Sequence, residues 1–412
     1  ENDKFTGLVI GDVQSGKTAH FTGLIARAVD KGYNFVIVLS GIYNNLRYQT
    51  QTRIEEELLT NPFLINAHTE RFISLTQDGE FNGSADLRPF LEPDFTKIAV
   101  AVTKKNTDSL RALRSWLKSI PDDNRAKLRL LVIDDEADFA TLNTTNPDEP
   151  NSTTINSCLR SIINQFPFSA YIGYTATPYA NFVIQKSRDD ALFDFGEGFE
   201  EELGLTLYPR NMIFKINPSQ HYKGIDHYFG SSYDPRGPFQ LIPTDEDRRL
   251  VSFFDDPRRG NIPQSLKEAL IEFVLVHCIR KKIEEPGFES KMMIHTIRST
   301  QDMLPIAIVV QQMFEHWGNY RRTMNFQSDE YYQILSDIWE ERFSIKYSEI
   351  ISLSEIESLL RDTLREVKFV VLNQSTRSTI EQGFESSLQA ESIIGRPTVV
   401  AGGALLSRGI TI

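Results

Sequence analysis

The chain has 412 residues, 40% of them hydrophobic and 24% charged, and carries a formal net charge of -12 at pH 7. This composition is that of an ordinary globular protein with room for two or three domains. The acidic balance argues against a protein that binds nucleic acid over its whole surface, although a local basic groove is compatible with it.

Neither a membrane-spanning segment nor a secretion signal is visible, because no apolar run reaches the length that a bilayer requires. The two cysteines, Cys158 and Cys278, lie in apolar helical patterns, which favours buried thiols over a disulfide or a metal site. We therefore expect a cytoplasmic protein without a membrane partner. Since the chain starts with Glu1 and stops inside an apolar run at Ile412, we interpret it as a piece of a longer protein.

A phosphate-binding pattern, G-x-x-x-x-G-K-T, occupies residues 11–18. An apolar run precedes it and a helical pattern follows it, which is the strand–loop–helix context that this motif requires. The loop would direct backbone N–H groups and a helix N-terminus at phosphates, while the lysine reaches the outer phosphates and the threonine binds Mg²⁺. We predict binding of ATP and Mg²⁺ by Gly11, Gln14, Ser15, Gly16, Lys17 and Thr18.

Apolar runs alternate with helical patterns in the first third of the chain and again after residue 263. Because strands of this kind are buried on both faces, the alternation predicts an α/β fold with parallel sheets covered by helices. The predicted strands are 8–10, 35–39, 98–102, 130–133 and 170–173, then 292–295, 369–372 and 398–401.

Composition also suggests the domain boundaries. We predict a first domain at 1–185, an insertion and linker at 186–262 and a second domain at 263–412. The middle segment is rich in Asp, Glu, Gly and Pro and contains an acidic patch at Glu197 and 200–202. A mostly helical stretch at about 311–367 is predicted as an insertion in the second domain.

An apolar strand at 131–133 runs into the carboxylate cluster Asp134-Asp135-Glu136-Ala137-Asp138. A P-loop ATPase needs one acidic residue to hold Mg²⁺ and a second to orient the attacking water. We assign the first role to Asp135, together with Thr18, and the second to Glu136, with Lys17 as the third catalytic residue.

Two hydroxyl side chains, Thr175 and Thr177, follow the next predicted strand. At that position they could donate hydrogen bonds to the carboxylate cluster and couple the nucleotide state to the second domain. The Thr-Ala-Thr string is a weak signal alone, because it could simply end a strand, and gains its weight from its order behind the two preceding motifs.

Basic side chains follow two other strands of the first domain: Arg47 after the second, and Lys104 and Lys105 after the third. Open α/β sheets bind ligands at the carboxyl ends of their strands, so we predict that these residues contact nucleic-acid phosphates. Residues 104–129 contain eight Lys or Arg and three Asp.

A helix is predicted within this basic segment, with Leu110, Leu113 and Leu117 towards the core. That leaves Arg111, Arg114 and Lys118 outside. These three could equally contact nucleic acid or form an ordinary solvated helix face.

In the second domain, polar residues again follow predicted strands. His295 ends one strand, where a hydrogen-bonded structural histidine is the favoured interpretation, and Arg298 and Ser299 follow as candidate nucleic-acid contacts. The turn Ser407-Arg408-Gly409 follows the last strand. We predict that Ser407 faces nucleic acid and that Arg408 and Gly409 face the nucleotide.

This ordered set of motifs resembles the motor core of superfamily-two helicases, which consists of two RecA-like P-loop domains. More narrowly, residues 11–18, 133–138, 173–178 and 402–411 resemble the Z1 domain family. The resemblance implies an endonuclease or helicase-like ATPase of bacterial restriction and phage-defence systems. It also implies DNA as the preferred nucleic acid and partners such as a nuclease or a GHKL-type ATPase.

The chain departs from the helicase pattern in two respects. The sixth helicase motif, which contributes an arginine finger, and the adenine-binding segment upstream of the P-loop are both missing from it. The resemblance therefore implies that residues 1–412 alone bind ATP but hydrolyse it poorly.

Three functions remain open from the sequence. The first is an ATP-dependent translocase or helicase-like motor. The second is a DNA endonuclease, although the sequence contains no P-D…(D/E)-x-K pattern around Pro93-Asp94 to support it. The third is an ATP-gated DNA-binding switch that recruits a partner nuclease.

Overall fold

A computed structural model describes residues 3–42, 44–59, 72–76, 79–92, 95–142, 153–183, 189, 191–224, 227, 244–256, 261–283, 290–295, 303–320, 329–372 and 396–402. The chain divides into two compact units, Glu1–Phe239 and Gln240–Ile412.

The first unit is built on a parallel sheet. Within the part that the structure describes, seven strands pair in the order β3-β4-β2-β5-β6-β1-β9. Every pairing in this sheet is parallel, which confirms the predicted fold class. The strands of the unit are β1 (Asp3–Ile10), β2 (Phe35–Ser40), β3 (Phe72–Ser74), β4 (Ile98–Thr103), β5 (Arg129–Asp135), β6 (Phe168–Thr175), β7 (Leu192–Asp194), β8 (Glu200–Glu202) and β9 (Met212–Lys215).

Helices cover both faces of this sheet. Along β2, Phe35, Ile37 and Leu39 pack into one apolar core, while the alternate residues Val36 and Val38 pack into the other. A strand buried on both faces needs this continuous apolar sequence, because successive side chains point to opposite faces. The helices are α1 (Lys17–Asp30), α2 (Asn44–Ile54), α3 (Arg88–Leu91), α4 (Thr107–Lys118), α5 (Asp122–Arg125), α6 (Thr154–Asn164) and α7 (Tyr179–Val183), with a π-helical turn at Glu55–Leu59.

The acidic segment after α7 belongs to the first unit. Its strands β7 and β8 form an antiparallel hairpin, and β9 pairs with β1 at the edge of the main sheet. The sequence predicted only an insertion and linker in this range, and strand β9 was not predicted. The apolar string Met212-Ile213-Phe214 was the available signal, but three residues are too few for periodicity to identify a strand.

The hairpin also corrects the interpretation of α4. Arg114 was expected outside, but its side chain is only 1% exposed and forms ion pairs with Glu197 and Glu201. Lys118 contacts Glu201 as well, at 2.6 Å. The acidic patch therefore neutralises the basic helix within the fold, which removes Arg114 from the candidate nucleic-acid contacts.

The second unit contains a smaller parallel sheet with the order β10-β12-β11 among the residues that could be described. The helical insertion predicted between its strands is present. The strands are β10 (Lys291–Ile294), β11 (Lys368–Leu372) and β12 (Thr398–Gly402). The helices are α8 (Thr244–Asp255), α9 (Gln264–Ile283), α10 (Met303–Tyr320), α11 (Glu330–Ile338), α12 (Ser344–Tyr347) and α13 (Leu353–Glu366), with a π-helical turn at Trp339–Phe343.

One apolar core holds the second unit together. It includes Leu270 and Val274 of α9, Trp317 of α10, Leu360 of α13 and Val399 of β12. Cys158 and Cys278 are both buried thiols, as the sequence predicted. None of the helices in the described ranges is long and apolar enough to cross a bilayer.

Strand β6 packs closely against the turn after β5 at Gly173, so substitution of Gly173 tests this packing. A Cβ at this position would lie 2.9 Å from Ala137 Cβ and 3.2 Å from Leu8 Cδ1. We expect Gly173→Ala to destabilise the protein by about 1–3 kcal/mol through overpacking. Gly23→Ala is the control, because its Cβ would meet nothing within 4 Å on the exposed side of α1, and it should stabilise by about 0.5–1 kcal/mol. Urea unfolding midpoints measure both, and equal midpoints for Gly173→Ala and the parent would contradict the prediction.

Candidate functional site

The loop between β1 and α1, for which we predicted phosphate binding, has an irregular backbone. Gln14 and Gly16 lie in the left-handed region, with φ of 56° and 91°. Gly16 is the N-cap of α1 and supplies no side-chain cap, so no N-cap side chain occupies the first-turn N–H groups. An added Cβ at Gly11 would lie 2.9 Å from Lys17 Cγ, which explains the first glycine of the pattern.

Lys17 and Ser15 present polar groups with weak or no protein partners. Lys17 Nζ donates to the carbonyl oxygens of Gly11 and Asp12, at 3.2 and 3.0 Å. Ser15 Oγ is buried and has no hydrogen-bond partner among the described residues. Because a buried hydroxyl normally has a partner, and because ammonium–carbonyl contacts exchange readily for ammonium–phosphate contacts, both groups fit an anion in this loop.

A segment after β9 also contacts this loop. Tyr222 Oη donates a hydrogen bond of 2.6 Å to the carbonyl oxygen of Val13, and Ile216 N donates to Ile10 O at 2.8 Å. No local pattern indicates this contact, because the residues involved are about 200 positions apart.

The carboxylate cluster lies at the end of β5, two strands from β1. Asp135 pairs in register with Ser40 of β2 and with Tyr174 of β6. Desolvation by burial raises the pKa of Asp135 to about 6, against the opposing charge of Lys105, while the neighbouring Glu136 adds to the increase. Bringing cationic charge to this carboxylate would favour its ionised form.

Glu136 has a strained backbone, with φ of 56°. A residue with a side chain adopts this region at a cost of order 1–3 kcal/mol, and such strain concentrates at functional sites. Its carboxylate lies beside β2, because a Cβ added at Gly41 would be 3.6 Å from Glu136 Oε2. The turn thereby sets the direction of the Glu136 side chain.

The residues proposed for magnesium fit that ion. Asp135 supplies one desolvated carboxylate, and none of the described ion pairs places a cation in direct contact with it. Thr18 supplies a hydroxyl in the first turn of α1. Mg²⁺ in nucleotide sites is held by one or two protein oxygens together with phosphates and water. In the ranges described, no three His, Cys, Asp or Glu side chains form a separate metal cluster.

Thr175 and Thr177 make the contacts predicted for them. Their hydroxyl groups donate to the two carboxylate oxygens of Asp138, at 2.8 and 2.7 Å. Thr175 also accepts a hydrogen bond at its carbonyl oxygen from Gly11 N, at 3.0 Å. One residue thus contacts both the phosphate-binding loop and the carboxylate turn. The transmission of the nucleotide state through these contacts stays a prediction.

The basic residues after β2 and β4 are not all available for binding. Lys105 is a correction: its side chain is 0% exposed and its ammonium forms an ion pair of 2.7 Å with Asp134. A phosphate cannot reach it, so we remove it from the candidate nucleic-acid contacts. The sequence could not reveal this, because Lys105 follows β4 and Asp134 lies in β5, far away along the chain.

Arg47 and Lys104 both lie near the carboxylate of Glu80. No sequence motif pointed to Glu80. Arg47 Nε and Lys104 Nζ lie 3.8 and 3.6 Å from Glu80 Oε2. Glu80 Oε1 accepts hydrogen bonds from the Thr103 hydroxyl and from Lys104 N, at 2.5 and 2.9 Å. The two cations therefore lie side by side at the carboxyl edge of the sheet, with 10% and 15% of their side chains exposed.

In the second unit, His295 Nδ1 forms a hydrogen bond of 2.9 Å with the carbonyl oxygen of Gly402, the structural role favoured by the sequence. The other predicted site residues of this unit lie outside the described residues. They are Arg298, Ser299, Ser407, Arg408 and Gly409.

Comparison with protein families supports the resemblance seen in the motifs. The family model of the Z1 domain matches residues 265–412, which confirms that prediction for the second unit. No curated protein matches the chain in sequence.

Several solved structures are similar to the chain at low identity. The ATP-dependent Type ISP restriction-modification enzyme LlaBIII bound to DNA is 14% identical over 99% of this chain, with a TM-score of 0.44. The DUF1998 helicase MrfA bound to DNA is 13% identical over 97%, with a TM-score of 0.42. The Hef helicase domain of Pyrococcus furiosus is 13% identical over 98%, with a TM-score of 0.35. The matched regions span 23%, 38% and 83% of those chains, respectively.

The loop geometry predicts the effect of removing the Lys17 ammonium. Lys17→Ala should weaken the binding of ATP with Mg²⁺ by about 10- to 100-fold, since a hydrogen bond to a charged group contributes about 1.5–3 kcal/mol. Lys31→Ala, an exposed substitution at the other end of α1, is the control and should leave the affinity unchanged. Isothermal titration calorimetry measures both. Unchanged affinity in Lys17→Ala would show that the phosphates do not bind here.

Proposed function

We propose that the chain is the ATPase core of a nucleic-acid translocase or helicase-like motor of a bacterial restriction or phage-defence system. DNA is the proposed nucleic acid, and a nuclease or GHKL-type ATPase the proposed partner. One observation supports this most directly: Thr175 accepts a hydrogen bond from Gly11 and donates one to Asp138. A motor needs a link of this kind, because nucleotide binding has to change the conformation of residues outside the phosphate site.

ATP would lie with its phosphates on the loop at residues 11–18. The N–H groups of the loop and of the first turn of α1, the Lys17 ammonium and the Ser15 hydroxyl would bind phosphate oxygens. Thr18 and Asp135 would hold Mg²⁺, which supplies positive charge to the β- and γ-phosphates.

Glu136 would orient the attacking water and accept its proton. As the water oxygen bonds to the γ-phosphorus, the bond to the bridging oxygen breaks and ADP leaves. The strained backbone and the nearby Gly41 restrict the directions that the Glu136 carboxylate can take, and such restriction favours a productive geometry.

Nucleic acid would contact the carboxyl edge of the sheet at Arg47 and Lys104. Phosphate groups would compete with Glu80 for these two cations, so binding would be electrostatic and dependent on salt. In the second unit, Arg298, Ser299 and Ser407 are proposed as nucleic-acid contacts. Arg408 and Gly409 are proposed as nucleotide contacts, as the family resemblance implies.

The role of Glu136 predicts a variant that binds ATP without turning it over. Glu136→Gln keeps the shape of the side chain and loses the proton acceptor, so turnover should fall by about 10²–10⁴-fold while ATP affinity stays near the parent value. The exposed Glu92→Gln serves as the matched control. Phosphate release by the full-length protein should be measured without nucleic acid and with single- and double-stranded DNA and RNA. Turnover at the parent rate in Glu136→Gln would exclude this role.

The position of Lys104 predicts a change in the salt dependence of binding. Lys104→Ala should weaken nucleic-acid binding and reduce the slope of log K against log salt by about 0.7–0.9, the value for one lost phosphate contact. Lys97→Ala is the control: it is exposed and precedes β4, whereas Lys104 follows it. Fluorescence anisotropy over a range of salt concentrations measures the slopes. An unaltered slope in Lys104→Ala would place the nucleic acid elsewhere.

A further inference from the structure

Lys105 occupies a closed polar network beneath the carboxylate turn. Its ammonium lies 2.7 Å from Asp134 Oδ1 and donates to the carbonyl oxygens of Glu136 and Phe139, at 2.6 and 3.1 Å. Two of these contacts are hydrogen bonds to carbonyl oxygens, and the third is an ion pair. The second oxygen of Asp134 accepts a hydrogen bond of 2.6 Å from Tyr171 Oη.

Burying this ion pair has a desolvation cost, so the pair is weak evidence for a stabilising role. The side chains of Lys105 and Asp134 are both 0% exposed. Removing two charges from water costs several kcal/mol for each ion, and well-packed apolar residues often provide equal or greater stability. What the ion pair provides instead is a fixed geometry for the groups around it.

Those groups are the two sides of the proposed catalytic turn. Asp134 immediately precedes Asp135, and the carbonyl oxygen that Lys105 holds belongs to Glu136, whose φ is 56°. Lys105 therefore holds the strained peptide of Glu136 from its backbone, without contacting the Glu136 carboxylate among the hydrogen bonds described.

Lys105 also belongs to the loop proposed to meet nucleic acid. Lys104 N and Lys104 Nζ contact Glu80 at the surface, and the next residue along the chain holds the Glu136 turn. Lys105 N is itself fixed by a hydrogen bond of 2.7 Å to Gly41 O. One peptide bond thus separates the outer and inner contacts.

We propose that Lys105 is a positioning residue that couples the loop Thr103–Asn106 to Glu136, so that nucleic acid contacting Lys104 adjusts the water-orienting carboxylate and increases ATP turnover. The inference rests on the proposed function, because it assigns a regulatory input to the same site.

The test is the double variant Lys105→Met/Asp134→Asn in the full-length protein. Met is unbranched like lysine and lacks the ammonium group, and Asn still accepts a hydrogen bond from Tyr171, so no buried charge is left unpaired. A single variant, Asp134→Asn, keeps the Lys105 contacts to both carbonyl oxygens and separates their role from that of the ion pair. Arg114→Met/Glu201→Gln is the matched control, since it removes another buried ion pair of the same unit.

In the double variant, ATP affinity should stay within about twofold of the parent, while kcat falls by on the order of 10- to 100-fold, the effect of a small misplacement of a catalytic group. The ratio of ATPase rates with and without nucleic acid should approach one. The amides of Ala137 and Phe139, which donate to Tyr174 O and Glu136 O, should exchange with deuterium faster. Asp134→Asn should lower kcat as well, because it leaves the buried Lys105 ammonium without its counter-charge. The control should change none of these quantities.

Parent-like kcat and parent-like exchange in the double variant would overturn the proposal, and so would an undiminished response to nucleic acid. A fall in kcat of the same size in the Arg114→Met/Glu201→Gln control would also overturn it, because loss of stability alone would then explain the result. If the parent itself hydrolyses no ATP, the proposed function is wrong. In that case, amide exchange in the double variant still tests whether Lys105 holds the Glu136 turn. Unaltered exchange at Ala137 and Phe139 would show that it does not.

Discussion

Parallel pairing of β5, β6 and β1 is the constraint on which the candidate site depends. The register sets Ile10 opposite Thr175, and Tyr174 opposite Asp135. Parallel strands end at the same edge of a sheet, so the phosphate-binding loop, the threonines and the carboxylates emerge together there. A register shift of one residue would turn the side chains of a strand to the opposite face and separate these groups.

Close packing beneath the edge keeps the three strand ends at this spacing. Gly173 lies between Ala137 and Leu8 with no room for a Cβ, so β6 holds the turn after β5 against β1. The Ala137 amide donates to Tyr174 O at 2.9 Å, and the side chain of Asn181 donates to Ala137 O at 3.1 Å. On the other side, Glu136 N donates to Asp135 Oδ1 at 3.1 Å. Hydrogen bonds on both sides of Glu136 thus support its unfavourable backbone conformation.

Charge compensation within the first unit determines which basic residues can act on a ligand. Glu197 and Glu201 neutralise the buried Arg114, and Asp134 neutralises Lys105. These cations are structural, because removing either partner would leave a buried charge unpaired. Glu80 is different, since 24% of its side chain is exposed. Its two cations, Arg47 and Lys104, keep 10% and 15% of their side chains exposed, and they are the ones proposed to exchange a carboxylate for a phosphate.

The sequence by itself determined the fold class and most of the strands, because their continuous apolar runs can only be buried on both faces of a sheet. It also supplied the candidates for the proposed site, which are the loop at residues 11–18, the carboxylates and Thr175 with Thr177, since these motifs are local strings of residues. Only the tertiary structure decided the roles of Lys105, Arg114 and Glu80, and the pairing of β9 with β1. Each of these depends on a partner distant in sequence. Whether a charged side chain is buried and paired or exposed and free is a property of the three-dimensional contacts, and no local pattern encodes it.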